Sequence, residues 1–149
     1  MPAMLTRGVR GATTVQRNDA GEIVDRTREL LGLLVQRNGV RVEDVSSAIF
    51  TMTEDLDAEF PAIAVRGLPG WDGVPLLCGR EIPVPGSVGR CIRVLLLWNT
   101  EIAQSEVQHA FLRGARELRP AWAIPLPGDD DEPPPPRIER GNVSADSGP

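Results

Sequence analysis

Cys91 to Trp98 reads CIRVLLLW, a strand-like apolar run with one charge inside it. The charge is Arg93. A guanidinium cannot be deprotonated to escape burial, and an unpaired one inside a protein costs several kcal/mol (about 3–5 when a partner is removed). Arg93 therefore needs an anion. Two candidates present themselves. Glu81, inside the apolar run VPLLCGREIPV (74–84), is a second charge in a β-rich stretch and can neutralise Arg93 as a structural ion pair. A bound anion is the other, and the residues alone leave both readings open. Arg7 and Arg10 flank the glycine of RGVRG; three apart on a strand, they point to opposite faces, so at most one can share a pocket with Arg93. Arg66 and Arg119, taken singly, read as solvated.

The remaining chemistry is sparse. His109 is the only histidine, and a helical setting gives it a surface role. No Ser or Cys sits beside a base, so nucleophilic catalysis has no machinery. Cys78 and Cys91 show neither metal spacing nor a disulfide framework, and metal hydrolysis lacks ligands. Several arginines with one carboxylate can bind a polyanion and stabilise charge without covalent chemistry or cofactor.

Composition narrows the setting. The 149 residues suit one domain, 41% hydrophobic, with no run approaching the ~20 apolar residues of a membrane span. MPAMLTRGVRG lacks the apolar core of a secretion signal, so a cytoplasmic protein is expected. The net charge of −5 is uneven, because residues 128–149 hold six acids against two arginines. The remainder is near neutral and no basic nucleic-acid footprint. All 16 basic residues are arginine, so arginine content by itself says nothing of anion binding. Residues 1–127 are expected to form the domain. The acidic, proline-rich stretch 128–149 is expected to be a disordered tail.

The elements that must position these charges alternate. LTRGVRGATTV suggests a strand. Asp19 and Glu22 make a capping box that opens a helix with Ile23, Thr27, Leu30 and Leu34 on one stripe, closed by Asn38-Gly39. SSAIFTMT is β-rich and FPAIAVRGL a short helix. The strands 74–84 and 90–98, the second buried on both faces, are linked closely enough for a hairpin. IAQSEVQHAFLRGA suggests a third helix and ELRPAWAIP a final extended segment. The pattern predicts an α+β fold, a mixed sheet with helices on one face. The other face would then need covering, which an oligomer would do.

RGVRGATTV, DLDAEFPAIAVRGLPGW, VPLLCGREIPV, GRCIRVLLLWNT and LRP, at consistent intervals from Met4 to Pro120, together resemble the monofunctional α/β class of chorismate mutase. That resemblance implies a homotrimer with a pseudo-α/β-barrel centre and active sites between subunits. It implies isomerisation of chorismate to prephenate, the shikimate-pathway step toward phenylalanine and tyrosine, with no cofactor, metal, nucleic-acid or membrane partner. It assigns Arg93 to the ether oxygen and a substrate carboxylate, Arg10 to a carboxylate, and Glu81 to the ring hydroxyl, with Cys78 beside it. Alternation would put Cys78 and Glu81 on opposite faces, so a bulge at Gly79 or a backbone contact from Cys78 is required. Phe60 and Ala62 match pocket walls; Arg66, Leu118 and Arg119 match residues near the mouth. Phe111, Ile63 and Leu77 stand where the family has tyrosine, lysine and threonine. A non-catalytic trimeric anion binder and an imine-hydrolysing trimer remain alternatives.

Overall fold

The computed structural model describes residues 3–140. Five strands, β1 (Leu5–Thr14), β2 (Val45–Met52), β3 (Leu76–Arg80), β4 (Cys91–Thr100) and β5 (Ala110–Phe111), form one mixed sheet in the order β3-β2-β4-β1-β5. One α-helix, α1 (Ala20–Asn38), covers one face; short 3-10 turns complete the described chain.

Helix α1 begins and ends where its sequence says. The Asp19 carboxylate accepts the Glu22 amide at 2.9 Å. The Glu22 carboxylate reaches past the cap to the Gln16 amide at 2.6 Å, so the reciprocal half of the capping box is displaced onto the incoming chain. Gly39, at φ 64°, terminates the helix in the left-handed conformation. Ile23, Leu30, Leu31 and Leu34 are buried against the sheet. Gly11 of β1 permits this approach: a Cβ there would lie 2.9 Å from the Cδ1 atoms of both Leu30 and Leu34.

β4 is the centre of the sheet, antiparallel to β1 on one side and to β2 on the other. Its side chains alternate. Ile92, Val94, Leu96 and Trp98 are buried toward α1, whereas Arg93, Leu95 and Leu97 are only half-buried on the other face. The strand is thus apolar on one face rather than buried on both, and α1 leaves the second face uncovered.

Three sequence expectations change. Strands β3 and β4 are not a hairpin, because β2 lies between them and pairs with β3 in parallel. The connection 81–90 crosses the end of β2, and Pro83 and Pro85 deprive it of ladder donors. The expected third helix is instead a 3-10 turn (Gln104–Glu106) and β5. β1 offers a free edge there, and the Leu112 amide bonds the Ala12 carbonyl at 2.9 Å. Asn38 also holds Gln108 extended, accepting its amide at 2.7 Å and donating to its carbonyl at 2.8 Å. The segment expected to be extended, 117–125, is largely 3-10 turn, Arg113–Leu118 and Pro120–Trp122, before the Ile124 amide returns to the Phe111 carbonyl.

The chain expected to be disordered from 128 differs too: residues 128–140 pack on the domain. Glu132 pairs with Arg26 at 2.5 Å and Arg113 at 2.8 Å, and Ile138 is buried. Arg26 lies 106 residues upstream of Glu132 and Arg113 only 19, and pairing with them compensates the low local hydrophobicity of this stretch. Residues 141–149 of the expected tail lie outside the described residues.

Gly11→Val should drive a branched side chain into Leu30 and Leu34 and lower unfolding free energy by about 1–3 kcal/mol. Chemical denaturation checks this; an unchanged midpoint contradicts the close β1–α1 contact.

Candidate active site

The uncovered sheet face gathers the charges. Thr51 of β2 and Ala12 of β1 flank Arg93 of β4, and Arg10 lies diagonally one step away, opposite Leu95. Ala12 leaves room beside the guanidinium. Glu81 follows β3, its amide bonded to the Met52 carbonyl at 2.9 Å. Its carboxylate accepts a short hydrogen bond from the Thr51 hydroxyl. Arg10, Ile49, Thr51, Glu81, Arg93 and Leu95 line a cleft of about 310 Å³, large enough for a small metabolite.

Arg93 Nε lies 3.4 Å from Glu81 Oε1, close enough for charge attraction but without hydrogen-bond geometry. That Nε is buried and has no hydrogen-bond partner among the described residues. Arg10 sits with its guanidinium 5.7 Å above the Phe111 ring. Burial lowers its pKa, Arg93 and Arg119 lower it further, and Glu81 opposes them. Around Arg10, two like charges, Arg93 and Arg119, stand against one carboxylate, Glu81. The excess is positive, and Arg93 Nε is an unmet donor beside it.

His109 and Trp122 lie beside Arg10, outside the cleft lining. The Arg10 amide donates to His109 Nδ1 at 2.9 Å, and the imidazole stacks on Trp122 with centroids 4.0 Å apart. Arg119 lies 3.6 Å above the Trp122 ring. His109 therefore fixes the backbone of a site residue rather than facing solvent. A strand reading of 109–111 would have placed it on the same face as Phe111; the helical reading hid it. Burial first, then Arg119 and Arg10, depress the His109 pKa, so the fold favours the neutral ring that can accept.

The structure divides the remaining predicted residues. Leu118 packs near Phe111 and Cys91 on the Arg93 side. Phe60, Ala62, Arg66 and Cys78 line a different cleft, on the α1 side of the sheet. Phe60 is 64% exposed. The β2–β3 register runs without a bulge at Gly79, so the Cys78 side chain points away from Glu81 and only its backbone can serve the site. Ile63 accompanies Phe60, and Leu77 stands on the Arg93 face, 65% exposed.

Cys91 is no nucleophile: burial pushes its thiol to about 11, against the opposing pull of Arg93. Among the described residues no cluster of His, Cys, Asp and Glu could hold a metal ion. A larger hollow of about 600 Å³ lies beside residues 128–137, but its arginines already have acids: Arg113 with Glu29 and Glu132, Arg116 with Asp129, Arg137 with Glu117. The smaller cleft is the one with charge to spare.

Residues 6–122 match the family model for chorismate mutase type I. The chain belongs to the type I chorismate mutase family. It is 50% identical over 117 residues to chorismate mutase AroH of Thermus thermophilus, covering 78% of this chain and 95% of that protein. To chorismate mutase AroH of Bacillus subtilis it is 42% identical over 121 residues, 81% of this chain and 95% of the relative. A solved chorismate mutase from Clostridium thermocellum superposes with a TM-score of 0.72 at 47% identity, covering 74% of this chain and 97% of that one. These matches favour a type I chorismate mutase over the anion-binder and imine-hydrolase alternatives.

The His109 arrangement has a pH signature. Because its folded pKa is depressed, its contribution to stability is present above the ordinary 6.5 and is lost as pH falls through the folded value. Denaturation between about pH 7.5 and 5.5 should show stability falling in the unaltered protein and a flatter profile in His109→Gln. Equal slopes contradict a neutral His109 in the fold.

Proposed function

We propose that this protein converts chorismate to prephenate in the cleft of Arg10, Glu81 and Arg93, as a cytoplasmic homotrimer. The observation that carries this reading is the buried, unbonded Nε of Arg93, set beside Arg10 and a single carboxylate.

The rearrangement is intramolecular. A C–O bond breaks as a C–C bond forms, the electrons move in a ring, and no group leaves. Such a reaction needs neither nucleophile nor cofactor. It needs the substrate's ether side chain folded over its ring and the separating charge met by fixed groups. Orienting the reacting atoms supplies about 7–11 kcal/mol in favourable cases. Arg10 binds one substrate carboxylate. Arg93 donates to the ether oxygen, where negative charge grows, and its second edge takes a carboxylate. Glu81, held by Thr51, accepts from the ring hydroxyl on the side that becomes electron-poor. A dianionic substrate also relieves the mutual repulsion of Arg10, Arg93 and Arg119. Phe111, 1% exposed, supports the Arg10 guanidinium from beneath and has no hydroxyl to offer a carboxylate.

Phe60, Ala62 and Arg66 reach this cleft from a neighbouring copy. Within one chain they stand on the other side of the sheet, and the exposed Phe60 ring has nothing to cover there. The half-buried Leu95 and Leu97 and exposed Leu77 of the open face supply apolar area for the subunit contact. Leu77 and Ile63 remove a hydroxyl and a cation from the family's pattern, which weakens substrate capture and leaves the Arg93 donor in place.

Light scattering should give a trimer's mass, and dilution to monomer should abolish activity. A fully active monomer contradicts a shared site.

Arg93→Lys keeps the charge but loses the planar fork. It should lower kcat by about 10²–10³-fold, the scale of a lost oxyanion donor. Unfolding free energy should stay within about 1 kcal/mol, as expected where a partly exposed ion pair is only weakened. The rival reading, a structural Arg93–Glu81 pair, predicts an active but unstable variant. Chorismate loss with prephenate identified as product, measured beside denaturation, separates the two.

A further inference from the structure

The chain after Pro127 lies beyond residues 6–122 that the family model matches, and the rearrangement gives it no task. It nevertheless makes specific contacts. Asp129 folds back onto the Leu126 amide at 2.6 Å and approaches Arg116 at 3.5 Å. Glu132 takes Arg26 through both oxygens, at 2.5 and 3.1 Å, and Arg113 at 2.8 Å. Pro135 lies against Gly114, where a Cβ would come within 2.6 Å of the proline ring. Arg137 pairs with Glu117. Farther on, the Gly89 amide bonds the Pro136 carbonyl at 2.7 Å, and Ile138 exchanges backbone bonds with Gly86 and Ser87, each 2.8 Å.

We propose that residues 128–140 form a strap that holds the segment 113–122 in place, and that Glu132 is the positioning residue through which it sets Arg119. The segment has little support of its own. It consists of 3-10 turns, with Arg113 at φ 53°, a left-handed conformation that non-glycine residues adopt only when surroundings impose it. Those surroundings are Glu132 and Glu29, which grip the Arg113 guanidinium on both sides. Glu132 simultaneously ties this end to α1 through Arg26, whose Nη1 also bonds the Thr14 carbonyl at the end of β1. The segment's other end is pinned by the Ile124–Phe111 backbone bond. Arg119 and Trp122 lie between the two anchors, with Arg119 on the indole and the indole on His109. Releasing Glu132 weakens the anchor at Arg113, leaving Glu29 and the Gly114 amide's bond to the Thr14 hydroxyl at 3.0 Å to hold it, so more of the ordering of Arg119 comes at the expense of substrate binding. The strap acts before chemistry, on capture.

This inference rests on the reading that Arg119 meets substrate at the Arg93 cleft. Its test uses the full chain, Glu132→Gln, and Glu132→Asp as the conservative rescue. Hydrogen exchange at the Ala115 and Trp122 amides, bonded to the Leu112 and Arg119 carbonyls between the two anchors, should accelerate about tenfold or more in Glu132→Gln. KM for chorismate should rise about tenfold, with kcat changed less than about threefold. Glu132→Asp should recover part of both losses. In an Arg119→Ala background the Glu132→Gln effect on KM should vanish, since the residue through which it acts is gone. Unchanged exchange, an unchanged KM, or full additivity with Arg119→Ala overturns the strap's positioning role. Absence of turnover by the intact chain overturns the functional reading instead, and exchange at the two amides still decides whether Glu132 holds the segment.

Discussion

A guanidinium that cannot discharge, placed on the central strand of a sheet, is the constraint around which this molecule is arranged. β4 has neighbours on both edges, so its backbone is fully engaged and its side chains can only alternate. Ile92, Val94, Leu96 and Trp98 join α1 in the core, which commits Arg93 to the other face. Once there, Arg93 determines what its neighbours can be. Ala12 must be small, Thr51 must hold Glu81, and Arg10 repels it from one diagonal position. Glu81 satisfies the charge in part and leaves the Nε donor unbonded. In the proposed reaction, that residual demand is what a dianion with a developing oxyanion would meet.

The same alternation supports the proposal that a neighbouring copy completes the site. One α-helix covers one face, and the face bearing Arg93 retains half-buried leucines around its charges. Phe60 and Arg66 are set by a 3-10 turn packed on α1, beyond the sheet from Arg93. A neighbouring copy that covers the open face can bring these residues to the charges and exclude water from them. Burial of the apolar rim and completion of the site are then one event.

Much of this was legible in the sequence because its signals are local. Asp19, Glu22 and Asn38-Gly39 mark the helix ends without reference to the rest of the chain, and Arg93 and Glu81 stand out as charges within apolar runs. Arg10 and the roles of the site residues came from the family resemblance. Strand order was not legible: a short link suggested a hairpin, and nothing local reveals that β2 inserts between β3 and β4. Residues 104–112 carry apolar spacing that suits a helix, and only the free edge of β1 and the grip of Asn38 select strand. By composition alone the stretch 128–140 reads as unable to fold. Its acids find Arg26, more than a hundred residues upstream, and Arg113. His109 reads as a surface residue for the same reason, since its partner is the backbone of Arg10.

The proposed chemistry turns on one proton, that on Arg93 Nε, buried and unbonded in the free protein. Its nitrogen–proton NMR resonance reports that bond directly, without relying on turnover. Titrating prephenate into the labelled protein should move the Arg93 Nε–H resonance to lower field and slow its exchange with water, as a charge-assisted hydrogen bond forms. A saturating titration that leaves this resonance where it was, while other site residues respond, would contradict the assignment of Arg93 as the donor that awaits substrate.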